Sequence, residues 1–298
     1  MSIEECYTLK HYKYTDGIFS KHIDATYILY VSGSSRMTSI MSQLQTYHPT
    51  DNVYILINKP FKYCRKNLIR DRVGYDIIDS NMQIFKHAKQ NDYSNILVLE
   101  DDFIFSSEIK NTEHVNNINS FLNQYKDTDF IYQLGSAPLL SIPYNSYTYI
   151  TFSLAAHANI YSRKSYMRHL NDYDNKMTSY KHLGGLDTYA IINNVTYWNV
   201  FMYYKPLCYQ IYTFTDSRKE WNSFETSSVI SFFKIDENAE PGTSNMYFAS
   251  KLVFYLLLLM IFFIVVFIYY YYKSYKYINK SIKQYVYTRL LPRKFPFL

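Results

Sequence analysis

The 298 residues suffice for one large α/β domain or two small ones, with a core that needs no crosslinks. The three cysteines, Cys6, Cys64 and Cys208, are odd in number and widely spaced, which excludes a disulfide framework or a zinc pattern. The formal charge of +6 sits in the tail: seven bases (Lys273, Lys276, Lys280, Lys283, Arg289, Arg293 and Lys294) and no acid follow Tyr272, leaving −1 for residues 1–272. That division argues against a nucleic-acid-binding domain and for a tail that meets an anionic membrane surface.

After some 24 polar and aromatic residues without a clear pattern, Thr26–Val31 reads as a first buried strand. Ser34 is placed to cap a helix in which Met37, Ile40, Met41 and Leu44 share one face. Val53–Ile57 is a second strand, closed by Asn58, Lys59 and Pro60. Helical stretches are expected near Tyr63–Asp71 and Ser80–Gln90, the second capped by Asp79. Alternation of strand and helix predicts βαβ units and a mostly parallel sheet.

The next strand carries the chain's most distinctive feature. Ile96–Leu99 is aliphatic throughout, as in a strand buried on both faces, and Glu100, Asp101 and Asp102 follow directly. In an open α/β sheet that position is the carboxyl edge where ligands bind. Adjacent carboxylates repel unless a cation joins them, and oxygen ligands suit Mg²⁺ or Mn²⁺ carrying a phosphorylated substrate. A solvated turn is the plain alternative, but Phe103, Ile104 and Phe105 return at once to apolar packing, which an exposed turn would not.

The second half is less regular. Val115, Ile118, Leu122 and Tyr125 mark a helix, Phe130–Leu134 a strand, and Ser136–Asn145 a loop holding Pro138 and Pro143. Tyr149–Phe152 and Asn159–Tyr161 read as short strands, with a helix from about Arg163. Gly184 and Gly185 precede a helix reaching about Asn193, and strands are expected at Trp198–Tyr203 and Cys208–Phe214. Residues 222–251, with mixed charge, Pro241 and Gly242, read as a linker. Tyr is frequent (35) and Gly rare (7), as are the codons each requires in an AT-rich genome such as that of some large DNA viruses.

Leu252–Tyr272 is uncharged over a length of about 31 Å at 1.5 Å per residue, enough to span a bilayer. Its tyrosines and the flanking Lys251 and Lys273 are interface anchors. The first residues show no apolar signal region, and a C-terminal anchor of this kind favours a cytosolic domain, whereas the basic tail favours a cytosolic tail. The expectation adopted is the cytosolic domain. Asn194-Val195-Thr196 and Asn279-Lys280-Ser281 are glycosylation triplets that do not decide between the two. The expected organisation is a domain over 1–221, a linker over 222–251, a membrane helix over 252–272 and a basic tail over 273–298.

The strand and Arg-bearing turn Tyr27–Arg36, the segment Leu97-Val-Leu-Glu-Asp-Asp-Phe103, the run Ala156–Arg163, and Leu186-Asp187 occur in this order. In them the chain resembles glycosyltransferase family 25, the lipopolysaccharide and procollagen galactosyltransferase group, over about residues 26–216. The family's usual Asn-Leu after the first strand is absent here. The resemblance implies a GT-A, Rossmann-like fold. It also implies transfer of a hexose from a nucleotide-sugar, with a UDP-hexose favoured, to a glycan, lipid-linked sugar or protein.

By that resemblance Asp102, with Glu100, would ligate Mn²⁺ or Mg²⁺ at the diphosphate. Asp101 and Glu100 would meet the metal's water or the donor's sugars. Arg36 would meet a phosphate or the base, and His157 the diphosphate or metal. Asp187 would be the catalytic base or the residue gripping the acceptor. Each has a plainer reading: Arg36 as a surface arginine, Asp187 as a helix cap, His157 as a core histidine. Asp216, Arg218 and Trp221 are weaker candidates. The competing view is a catalytically inactive, transferase-like membrane or virion protein that binds glycans or partners.

Overall fold

The computed structural model describes residues 6–175, 186–211, 223–235 and 239–289, without the side chains of residues 155, 156, 187, 188, 193, 223–227 and 286–289. Strands β2 (Ala25–Val31), β3 (Asn52–Asn58) and β4 (Asn95–Leu99) pair in parallel in the order β3-β2-β4. Their apolar residues alternate between two cores. Ile28, Val53, Ile55, Leu97 and Leu99 face one side with Ile40 and Leu44 of α1 (Met37–Thr46) and Ile118, Phe121 and Leu122 of α3 (Thr112–Gln124). Tyr27, Tyr54, Leu56, Ile96 and Val98 face the other with Ile78, Met82 and Phe85 of α2 (Val73–Gln90) and Tyr166 of α4 (Arg163–Asp174). Burial on both faces is why these strands read as continuous apolar runs. Phe85 is fully buried, its ring 5.0 Å from that of Tyr161, and truncating such a side chain costs about 3–5 kcal/mol.

The sheet continues through β7 (Thr148–Ser162), β6 (Ile131–Pro143) and β8 (Val200–Tyr203), giving β1-β3-β2-β4-β7-β6-β8. Strands β2, β3, β4, β6 and β8 run one way, and β1 (Tyr7–Lys13) and β7 run the other. The protein is thus an α/β fold with a mixed sheet flanked by helices, having five of seven strands in one direction and a parallel β3-β2-β4 centre. A small second sheet pairs β5 (Phe103–Phe105) with β9 (Cys208–Gln210). Helix α5 spans Leu186–Tyr197, α6 Ser223–Phe233 and α7 Ala239–Arg289.

Several local expectations are corrected. Ser136–Asn145 is mainly strand: Pro138 and Pro143 are accommodated in β6, where register shifts occur between Gln133 and Gly135, Gly135 and Ala137, and Pro138 and Leu140. The two short strands expected at 149–161 are one strand, β7. Residues 63–71 are turn, bend and irregular chain rather than helix, and α2 begins at Val73, so Asp79 lies inside it. The unpatterned N-terminal stretch supplies edge strand β1. Ser34 does not cap α1 but accepts a hydrogen bond from the Arg36 backbone N–H at 3.3 Å.

The segment expected as a linker is packed against the domain. Ile230, Ile235 and Met246 form a small core with Ala137, and Ser250 Oγ lies 2.7 Å from Ser141 Oγ. Pro241 does not break α7 because it stands in the first turn, where its missing N–H has no helical partner to lose. A side chain in place of Gly242 would lie 2.8 Å from the Phe233 carbonyl, so glycine permits the approach.

The cysteine reading is also corrected. Cys6 and Cys64 form a disulfide, and Cys208 remains a buried thiol. The pairing was not legible because it depends on β1 lying antiparallel to β3, which brings Cys6 beside the chain that leaves β3.

Residues 1–251 and 252–298 are separate compact units. Among the described residues α7 is the one helix long and apolar enough to cross a membrane, its apolar window having a mean hydropathy of 3.1.

Candidate functional site

The acidic triplet lies at the carboxyl edge of β4, between β2 and β7. The ladder extends one bond beyond the strand, from the Glu100 N–H to the His157 carbonyl at 3.0 Å. The chain then turns at Asp101 and Asp102 and re-enters the core as β5, where Phe103 and Phe105 are buried. This return explains why Asp101 and Asp102 are only 8% and 9% exposed.

Two side chains from distant sequence meet these acids. Arg36 enters from the turn after β2, a turn that Gly33 makes possible with φ +87°. Its Nη1 forms an ion pair with Asp101 Oδ1 and lies 3.3 Å from Asp102 Oδ2. Gln210 enters from β9, opposite Phe103 in the small sheet. Its Nε2 donates to Glu100 Oε2 at 3.1 Å and lies 3.2 Å from each Asp102 oxygen. The Ile211 N–H donates to the Asp102 carbonyl at 3.0 Å, fixing this strand end against the acid turn.

Burial pushes the Asp102 carboxyl up to about 6, and Asp101 adds repulsion, against the opposing pull of Arg36 and Gln210. Burial also works against the charge of Arg36, but Asp102 and Asp101 outweigh it and hold the guanidinium above its ordinary pKa. Arg36 thus pairs with both Asp101 and Asp102, and it is burial, ahead of the repulsion from Asp101, that holds the Asp102 carboxyl in its raised range.

His157 is 1% exposed. Its Nε2–H donates to the Cys208 carbonyl at 3.1 Å, joining β7 to β9 through the backbone that leads to Gln210. Asp187 stands in the first turn of α5, but its side chain lies outside the described residues. Gly184, Gly185, Asp216, Arg218 and Trp221 also lie outside them.

Gln210 was missed by sequence reasoning. The available signal was a lone amide in the apolar run Cys208–Tyr212, where a buried strand would otherwise carry none.

Among the described residues no three His, Cys, Asp or Glu side chains converge as a metal cage. The site nonetheless fits a hard divalent cation shared with a phosphate, since such ions are held by one or two carboxylates and the substrate. Glu100, Asp102 and Gln210 offer only oxygen ligands once the Gln210 amide turns over. Its Oε1 is buried without a hydrogen-bond partner among the described residues.

No protein-family model matches the chain, and no curated protein matches it. Among solved structures, one described as a glycosyltransferase involved in the glycosylation of the major capsid of PBCV-1 aligns at a TM-score of 0.40 and 9% identity. The alignment covers 66% of this chain and 97% of that one. A likeness of that degree leaves the functional reading to the site's own residues.

Proposed function

We propose that the protein is a membrane-anchored, metal-dependent glycosyltransferase that moves a hexose from a nucleotide-sugar, a UDP-hexose by preference, to a glycan, lipid-linked sugar or protein acceptor. The observation that carries this reading is the meeting of Glu100, Asp101 and Asp102 with Arg36 and Gln210 at the carboxyl edge of β4. The sugar chemistry comes from the sequence resemblance around Leu97–Phe103. The apolar stretch Leu252–Tyr272 within α7 and the basic residues that follow that stretch from Lys273 onward would provide the anchor.

Glycosyl transfer needs the departing diphosphate neutralised and the acceptor hydroxyl deprotonated. A bound Mg²⁺ or Mn²⁺ supplies Lewis acidity and charge at the diphosphate. Asp102 and Glu100 would hold it, with Gln210 presenting Oε1. Arg36, displaced from Asp101 and Asp102, would turn its fork to a phosphate, a geometry that guanidinium matches bidentately. Asp101, released from Arg36, would accept from the donor's sugar hydroxyls. Asp187, at the start of α5, is assigned as the base or the residue gripping the acceptor.

A specific observation favours a second reading. Arg36 already forms ion pairs with Asp101 and Asp102 from within the chain, as it would in a scaffold that binds glycans or partners without catalysis.

Calorimetric titration of the full chain in detergent with UDP and GDP, with and without Mn²⁺, separates the two. Metal-dependent binding that is lost in Asp102→Ala supports the transferase. Failure of a folded chain to bind either nucleotide supports the scaffold.

A further inference from the structure

We infer that the folded domain resides in an oxidising compartment, on the opposite side of the membrane from the basic tail, which reverses the cytosolic placement expected from the sequence. The inference is independent of what the domain catalyses.

The first observation is the Cys6–Cys64 disulfide, with Cα atoms 5.7 Å apart and a sequence separation of 58. Backbone pairing sets Cys6 beside Lys59, and the turn in which the Cys64 N–H donates to the Pro60 carbonyl at 3.0 Å follows directly, both independently of the bond. Tyr7 is in register with Asn58, and the Lys59 N–H donates to the Cys6 carbonyl at 3.0 Å. Both cysteines are buried, at 1% and 3% exposure, which suits a structural crosslink rather than a reactive thiol pair. Structural disulfides form and persist in secretory or external compartments and are rare in a reducing cytosol.

The second observation is charge. On the domain side of the apolar stretch, residues 232–251 carry two bases, Lys234 and Lys251, and three acids, Asp236, Glu237 and Glu240. On the other side, the first seventeen residues carry Lys273, Lys276, Lys280, Lys283 and Arg289 and no acid. An excess of Lys and Arg near a membrane helix marks the cytosolic end, so the tail faces the cytosol and the domain does not.

The Asn194 triplet does not weigh against this placement. Asn194 is fully buried, its Nδ2 donates to the Thr151 carbonyl at 2.7 Å, and its Oδ1 accepts from the Val200 N–H at 3.0 Å. Once folded, the domain shields that amide from a glycosylating enzyme. Asn279 belongs to the cytosolic tail on this reading, so neither natural triplet reports the domain's side.

A new reporter can be made by one exposed change. Lys126→Asn, in the turn after α3, completes an acceptor triplet with Asp127 and Thr128. The full chain, wild type and K126N, is expressed in eukaryotic cells and recovered in sealed microsomes. The expected results are three: external protease leaves the domain intact, K126N gains an endoglycosidase-sensitive band that the wild type lacks, and the denatured, unreduced wild type takes one thiol label, rising to three after reduction. Digestion of the domain in sealed vesicles overturns the inference. So does a protected domain with three labelled thiols, because the placement requires the crosslink as well as the side. Protease protection keeps the test decisive should the K126N turn be a poor acceptor.

Discussion

The side-chain amide of Gln210 spans the carboxylate of Asp102, with Nε2 3.2 Å from each oxygen. The two residues are brought together by the β5–β9 pairing, so the small sheet positions the site as well as closing the core. Gln210→Leu keeps most of the volume and removes both the donor and the buried Oε1. Mn²⁺-dependent UDP binding is expected to weaken about tenfold, or about 1.4 kcal/mol, near the range for a hydrogen bond to a charged group. Calorimetry at pH 7 checks it. An unchanged affinity would remove Gln210 from the site.

Asp102→Asn separates stability from binding. In the metal-free protein the folded-state pKa of about 6 exceeds the ordinary value of 3.8. The folded state therefore holds the proton more tightly, and the resulting stability is complete below pH 3.8 and lost as pH rises through 6. At pH 7 the charged carboxylate costs on the order of 3 kcal/mol relative to an unshifted group. The amide is neutral at every pH, so the variant is expected to melt higher than wild type at pH 7.5, with a flatter pH dependence between 4 and 6. It is also expected to lose metal-dependent nucleotide binding. Thermal denaturation at pH 5 and 7.5 checks the first effect, and titration with UDP and Mn²⁺ the second.

How much of this was legible depended on the range of the interaction. Ile96–Leu99 announced a strand buried on both faces because its two-sided packing requires apolar residues at consecutive positions. The stripe of Met37, Ile40, Met41 and Leu44 likewise reported the core face of α1, where Ile40 and Leu44 are buried. Ser162 caps the helix that starts at Arg163, accepting from the Ser165 N–H at 3.3 Å. Gln210 beside Asp102 and Cys6 beside Cys64 were hidden because strand pairing across long stretches of chain creates those contacts. The joining of 148–162 into one strand was hidden too, since its small and polar residues Ser153, Ala158 and Asn159 lack a strand's usual apolar alternation but find partners across β6.

Arg36→Gln tests whether the acids are cation ligands. The ion pair joins a side chain 20% exposed to acids 10% exposed, so removing it leaves largely buried negative charge uncompensated. Breaking a buried pair costs about 3–5 kcal/mol, and the partial exposure of Arg36 places this loss at about 2–3 kcal/mol. Arg36 and a divalent ion would compete for the same oxygens. Millimolar Mn²⁺ is therefore expected to raise the melting temperature of Arg36→Gln more than that of wild type. Equal shifts would show that the acids do not bind the ion and would favour the scaffold reading.

Gly135→Ala links the core of the sheet to the site. A Cβ at this position would lie 2.3 Å from the Cys208 carbonyl oxygen and 2.4 Å from His157 Nε2, which are themselves hydrogen bonded. The strand carrying Cys208 is held on its other edge by β5, so the methyl group has no open direction into which to displace it. Overpacking of this kind costs about 1–3 kcal/mol. Because Gln210 lies two residues beyond Cys208, movement of the strand would also draw the amide away from Asp102 and Glu100. The expected outcome is a folded variant with a lower denaturation midpoint and weakened Mn²⁺-dependent UDP binding, although the substituted residue is not one of those assigned to hold the ligand. Urea denaturation followed by calorimetry measures both. A loss of stability with unchanged binding would show that β9 does not transmit its position to the acids.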